Sequence, residues 1–273
     1  MSPQIRRLTR LVSVLRAENP GPMTLEGTNS LLLRAPGSDG VVVVDPGPDL
    51  PEHVQALAAA GPVELVLITH RHNDHTEAID SLRELTAAPV RAALPEHCRH
   101  GQPLRDGERL TAAGVSIEVL ATPGHTSDSL SFRILDDAAL TDGAAIAPIL
   151  TGDTVLGRGT TMIDHPDGTL GDYLASLDRL EAAGGMGLPA HGEPLPDLAK
   201  TCRELRDHRL ERLDEVRAAL ESMGATAQGV SADELAERIY PEVPAQVRPA
   251  ARRSIEAQLG YIQNTERQAD ATA

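Results

Sequence analysis

The chain has 273 residues, 41% apolar and 24% charged, with 23 Gly, 20 Pro and a formal charge of −15. This composition fits a soluble globular protein and excludes collagen-like, coiled-coil and disordered classes. The negative field and the scarcity of aromatics (Phe132, Tyr173, Tyr240 and Tyr261) argue against a basic or base-stacking nucleic-acid surface and predict no stable binding to duplex nucleic acid.

The length predicts one large domain, or a medium one with an appendage, able to fold without disulfide staples. The N-terminus, MSPQIRRLTRLVSVLRAE, carries Arg6, Arg7, Arg10 and Arg16 ahead of its first acid, Glu18. Its apolar centre LVSVL is too short for a secretory signal, so the segment reads as a first strand with an exposed basic side. Apolar runs fall far below the ~18 residues of a membrane span, which predicts no membrane association. Cys98 and Cys202 lie outside any CxxC spacing and suit a reducing compartment. The expected location is cytoplasmic.

Strands are predicted at Ser30–Leu33, Val41–Val44, Leu65–Thr69, Ser116–Leu120, Ser129–Ile134 and Ala147–Thr151. VVVV and LVLIT are continuous rather than alternating, as expected of strands covered on both faces. Helical patterns interleave at Pro51–Ala60, Glu77–Ala87 and Leu170–Ala183, the last started by the Asp167-Gly168 turn. Mixed strands with helices outside them predict a layered α/β (α+β) domain. From Pro196 the texture becomes helical. Leu198, Cys202, Leu205, Leu213, Val216 and Leu220 follow a 4,3 spacing with Arg209 in the one polar slot. Two shorter helices are predicted at Ser231–Ile239 and Val247–Tyr261, and Asn264–Ala273 is expected to fray. The division is therefore residues 1–195 as the main domain and 196–273 as a small helical module.

The chemistry concentrates in LVLITHRHNDHTE. A predicted strand ends at Thr69, and His70, His72, Asp74 and His75 then arrive within six residues. An extended chain just past the strand points His70 and His72 to one side, and Asp74 and His75 reach in from the following turn. Imidazole and carboxylate are what borderline first-row cations accept. A lone histidine is usually a satisfied structural group; three with an aspartate at this spacing after a buried strand are a metal-site signature. Ser13, Ser127 and Ser129 lack the GxSxG setting of a nucleophile elbow. His53, His97 and His100 are expected to be solvated, and His208 to pack between modules or face water. His165 is a minor candidate for the pocket mouth. Asp45 and Thr69 are candidates to orient ligand histidines, with a turn-forming Asp and a strand-end Thr as the equal alternative.

On these residues the chain resembles the metallo-β-lactamase family, and further motifs follow in order: VVVVDPGP with Asp45, TPGHTSDS with His125, TGDTVLG with Asp153 and PAHGEP with His191. NPGPMTLEGTNSLLL, LGRGTTMI, DYLASL and DHRLER resemble in particular the branch that contains beta-lactamase-like protein 2. The resemblance implies a four-layer αββα sandwich followed by a winged-helix-like module. LGYIQNTERQAD departs from the pattern in lacking a Gly-rich β wing, so a reduced wing is expected.

The resemblance also implies a dinuclear site. His70, His72 and His125 would hold one divalent ion, Asp74, His75 and His191 the other, with Asp153 bridging. Asp74 is the residue on which catalysis is expected to depend most. Zn²⁺ is the first expectation, and Mn²⁺ or Fe²⁺ accept the same ligands. A bridging hydroxide would attack a carbonyl or phosphoryl centre. The branch points to single-stranded RNA or a small molecule as substrate. A thioester, acyl-ester or lactone hydrolase is the leading alternative, because an acyl carbonyl demands no basic track. A redox dimetal protein and a non-catalytic binding protein rank lower. The C-terminal module is expected to cover the active-site mouth or to form a homodimer contact.

Overall fold

Strands whose successive side chains face opposite layers, with helices on both outer faces, build four layers. The computed structural model of the protein describes residues 4–137, 147–241 and 248–272. In the first sheet β1 (Arg6–Arg7), β2 (Val12–Arg16), β3 (Asn29–Leu33) and β4 (Val41–Val44) run antiparallel in sequence order. β5 (Val63–Leu67) and β6 (Val90–Arg91) then extend it in parallel. The second sheet joins β7 (Arg109–Ala112), β8 (Val115–Ala121), β9 (Leu130–Ile134) and β10 (Ile149–Gly152) antiparallel, and β11 (Gly187–Pro189) parallel to β10.

The period-2 geometry of strands sorts their side chains between layers. Val42 and Val44 point inward with Leu31, Leu33, Ile117, Val119 and Phe132, forming the core between the sheets. Val41 and Val43 point outward onto α1 (Pro51–Ala58) and α3 (Ile79–Thr86), where Val54, Leu57 and Leu82 cover them. On the other side, Leu120 and Ile149 face α4 (Leu170–Ala183) and α5 (Leu198–Met223). The continuous VVVV run thus serves two cores at once, as a doubly covered strand should. The αββα sandwich expected from the resemblance is the observed architecture.

Helix α6 (Ala232–Ile239) starts on a capping box between Ser231 and Glu234, and α7 (Arg248–Thr272) follows. Both pack into the same apolar cluster as α4 and α5. Among the described residues no strand follows them, in keeping with a reduced wing. Fraying is expected over Asn264–Ala273, the last residue of which lies outside the described residues; α7 instead continues through Thr272. The seam on α5 is as predicted, with Leu198, Cys202, Leu205, Arg209, Leu213, Val216 and Leu220 buried.

Two boundaries differ near the histidine motif. β5 ends at Leu67 rather than Thr69, because the Thr69 amide donates to the Asp45 carboxylate at 2.8 Å instead of to a neighbouring strand. The expected Glu77–Ala87 helix is preceded by a separate turn, α2 (Asn73–Thr76), so Asp74 and His75 sit on helical backbone. α4 is capped by Thr169, whose hydroxyl accepts from the Asp172 amide, just after the Asp167-Gly168 turn. Gly168 is required there: a Cβ would stand 2.3 Å from the Gly124 carbonyl oxygen and 2.4 Å from that of His125.

Candidate metal centre

All seven side chains singled out in the sequence converge just past strand ends. His70 and His72 follow β5, Asp74 and His75 ride on α2, and His125 lies between β8 and β9. Asp153 is the first residue after β10, and His191 lies just after β11. His70, His75, His125 and His191 are at most 2% exposed, whereas His72 and Asp74 are half-buried.

The first cluster is a triangle of nitrogens. Nε2 of His70 and Nδ1 of His72 are 3.0 Å apart, and Nε2 of His125 lies 3.2 and 3.0 Å from them. The outer nitrogen of each ring fixes which inner one bears a lone pair. The Thr69 hydroxyl donates to Asp45 Oδ2 at 2.7 Å, so it accepts from Nδ1 of His70 at 3.0 Å. Nε2–H of His72 faces Asp164 Oδ2 at 3.5 Å. Nδ1–H of His125 donates to the Met162 carbonyl at 2.5 Å. Three lone pairs therefore point at one another. Tetrahedral ligands at a Zn–N distance of about 2.0–2.1 Å would stand about 3.3 Å apart, close to this spacing.

The second cluster is built alike. Nδ1–H of His75 donates to Asp45 Oδ2 at 2.8 Å, and Nδ1–H of His191 to the Gly27 carbonyl at 3.3 Å. Their Nε2 atoms lie 3.4 and 3.1 Å from Asp74 Oδ2. Those two Nε2 atoms and Oδ1 of Asp153 are buried and make no hydrogen bond. Asp153 faces both clusters, with Oδ1 3.3 Å from His191 Nε2 and Oδ2 3.8 Å from His125 Nε2. Buried acceptors without donors are costly; a cation satisfies all of them together. The residues present therefore fit divalent metal.

The electrostatics carry the same signature. Burial, with His75 and His125 beside it, holds His70 well below the usual histidine range. Burial would also lower His191, but the negative charge of Asp153 and the carboxylate oxygens of Asp153 and Asp74 close to its Nε2 lift it to about 9. Burial would raise Asp153, yet His191 and His75 hold it well below the carboxylate range. Neighbours are driven in opposite directions, as at functional sites.

Sequence reasoning passed over several groups that position these ligands. In MIDHPDG it is Asp164, not His165, that reaches the cluster. Asp164 faces His72 and pairs with Arg71 at 2.5 Å, while His165 lies against Gly260 of α7. The Met162 and Gly27 carbonyls left no residue-type signal at all. Contrary to expectation, His53 is buried rather than solvated, bonded through Nε2 to Ser30 Oγ at 2.8 Å, and burial pushes it down to about 4. It lies on the first turn of α1, whose inner face packs on the sheet.

A cavity of about 190 Å³ adjoins the site at His125 and Asp153. Pro22, Met23, Leu156, Met162 and Ile163 give it apolar walls. Three of the cations around this mouth are paired: Arg71 with Asp164 and Asp167, Arg158 with Glu26, and Arg253 with Asp164. No helix among the described residues is long and apolar enough to cross a membrane.

Residues 23–187 match the model of the metallo-beta-lactamase superfamily, and residues 231–263 that of the beta-lactamase associated winged helix domain. The chain is 32% identical to an atrochrysone carboxyl ACP thioesterase of Aspergillus chevalieri, covering 90% of this chain and 78% of that protein. It is 26% identical to the beta-lactamase-like protein 2 homolog of Caenorhabditis elegans, covering 93% and 85%. A beta-lactamase domain protein from Burkholderia ambifaria has a similar fold, with a TM-score of 0.75 and 23% identity over 97% of this chain and 89% of that one.

Proposed function

The chain belongs to the metallo-β-lactamase superfamily, and from that premise we propose that it is a dinuclear metallohydrolase acting on acyl esters or thioesters with a small apolar acyl part. The observation that carries the substrate class is the cavity beside His125 and Asp153, walled by Pro22, Met23, Leu156, Met162 and Ile163. An apolar pocket in contact with the reacting centre suits an acyl chain. A polynucleotide would need a track of free surface cations for its successive phosphates. Here Arg71, Arg158 and Arg253 are each engaged by carboxylates, and the net charge is −15. Similarity to a thioesterase supports the same reading.

In this proposal His70, His72 and His125 hold one cation and Asp74, His75 and His191 the other, with Asp153 shared between them. Divalent cations bound there supply Lewis acidity and lower the pKa of water from 15.7 to about 7. The remaining work belongs to the chain. Asp45 fixes the tautomer of His75 directly and that of His70 through the Thr69 hydroxyl, so that a ligand histidine of each cluster is oriented by one carboxylate. The Met162 carbonyl and the Thr161 hydroxyl, 2.5 and 3.0 Å from Nδ1 of His125, fix that ring at the cavity wall. The apolar walls exclude water from one side of the scissile carbonyl and seat the acyl chain.

The test is a panel of acyl-thioesters, acyl esters, lactones and single-stranded RNA, run on wild type and Asp74→Ala. Thioester or ester turnover lost in the variant is the expected result. RNA cleavage without acyl turnover would replace this reading with a nuclease.

A further inference from the structure

One buried cation beside the site has no counter-ion. Arg209 of α5 is 6% exposed and lines the cavity that opens on His125 and Asp153. One of its terminal nitrogens donates to the Thr161 carbonyl, and its guanidinium carbon lies 5.3 Å from the centre of the Tyr173 ring. Its Nε is buried without a partner, and among the described residues no carboxylate stands within ion-pair distance of it. The contrast with Arg206, one turn earlier, is sharp. That half-buried residue is held by Asp178 at 2.5 Å and Glu181 at 2.7 Å. Arg206 thus finds two acids, while the buried arginine at the cavity has none. Burying an unpaired charge is expensive, and such a group is satisfied either by a permanent partner or by a ligand.

We propose that Arg209 is a specificity-determining residue that binds an oxyanion on the substrate, a carboxylate or phosphate separated from the scissile carbonyl by a short apolar spacer. The guanidinium offers the planar fork that such groups accept. The apolar walls of the cavity that Arg209 and His125 both line take the spacer, and its volume of about 190 Å³ limits the spacer to a few carbon atoms. This assignment rests on the reading of the cavity as an acyl pocket, but the binding it describes is measurable without turnover.

Calorimetric titration of the metal-loaded protein with succinate, 3-phosphonopropionate and butyrate tests it. Each offers one carboxylate to the metal centre; only the first two carry a second oxyanion for Arg209. The expected result is that succinate or 3-phosphonopropionate binds at least ~10-fold tighter than butyrate, as a charge-assisted bond predicts. The stronger of the two identifies carboxylate or phosphate as the natural group. Arg209→Met should erase the preference, and Arg209→Lys should keep part of it. Succinyl and butyryl thioesters should then differ in KM, with that difference also lost in Arg209→Met. A merely structural role would weaken all ligands alike and leave the ratio unchanged. Equal binding of the three acids by wild type overturns the proposal whether or not the variants fold. Tighter binding of succinate without thioester turnover would retain the anion site and reject the acyl-hydrolase reading.

Discussion

Asp45 accepts a hydrogen bond from Nδ1 of His75 at 2.8 Å while its own backbone is left-handed, with φ of +54°. The same carboxylate takes the Thr69 amide and hydroxyl at 2.8 and 2.7 Å. A non-glycine residue is rarely held in that region, and such strain gathers where geometry serves function.

Asp45→Asn tests the link, since asparagine tolerates the left-handed backbone but places an amide nitrogen where one carboxylate oxygen stood. Two donors then face each other at His75 or Thr69, and a ligand ring must turn or change tautomer. Metal affinity is expected to fall by about 10–100-fold. Chelator competition on the purified protein measures it, and wild-type affinity would show that Asp45 does not orient the ligands.

Asp74→Ala removes a carboxylate whose Oδ2 lies 3.1 Å from His191 and 3.4 Å from His75. Asp74 is half-buried, on a four-residue turn. Turnover of the best substrate should fall by at least ~100-fold, while metal-free thermal stability moves by no more than ~4 °C, the equivalent of about 1 kcal/mol. A variant with near wild-type turnover would remove Asp74 from the site.

The layered α/β character and four of the seven ligands were legible in local pattern: VVVV encodes a doubly covered strand, and HxHxDH gathers His70, His72, Asp74 and His75 just past a buried strand. His125, Asp153 and His191, and the four-layer sandwich, followed from the family resemblance. What the sequence hid is non-local. Arg209 filled a polar slot in the α5 seam, and only the packing of α5 beside Thr161 shows it without an acid partner. Asp164 sits 92 residues from His72 in the chain. The carbonyls of Met162 and Gly27 depend on the loop path rather than on residue type. His53 was misread because Pro-Glu at a helix start suggests solvent, whereas the helix lays that turn against the first sheet.

His53 has a consequence for acid stability. Burial pushes it from its ordinary 6.5 down to about 4. Below pH ~6.5 the unfolded chain takes up a proton that the folded one refuses until pH ~4, so stability falls as the pH drops through that window. At 1.36 kcal/mol per unit the loss reaches up to ~3 kcal/mol. His53→Gln, which can still bond Ser30, should flatten the slope between pH ~4 and ~6.5 in denaturant titrations of both proteins in the same buffers. An unchanged slope would mean that the imidazole is protonated in the folded state.

Metal removal should be felt by the fold as well as by the chemistry. His70, His75, His191 and Asp153 are buried, and without a cation their inward atoms face lone pairs and carboxylates rather than donors. A cation at 100 times its dissociation constant adds about 2.7 kcal/mol per site, provided the unfolded chain binds it weakly. In a domain of this size each kilocalorie is worth ~2–4 °C, so filling one site should raise the melting temperature by ~5–10 °C. Chelation should reverse the rise, and Zn²⁺ or Mn²⁺ should restore it with close to two equivalents bound by elemental analysis. Asp153→Ala takes away the carboxylate that faces both clusters, so its stoichiometry and its metal-dependent shift should drop together. If chelated and metal-supplied wild type melt at the same temperature and neither holds an equivalent of metal, the orphaned nitrogens and carboxylates belong to a relic of the site, and the hydrolytic reading goes with it.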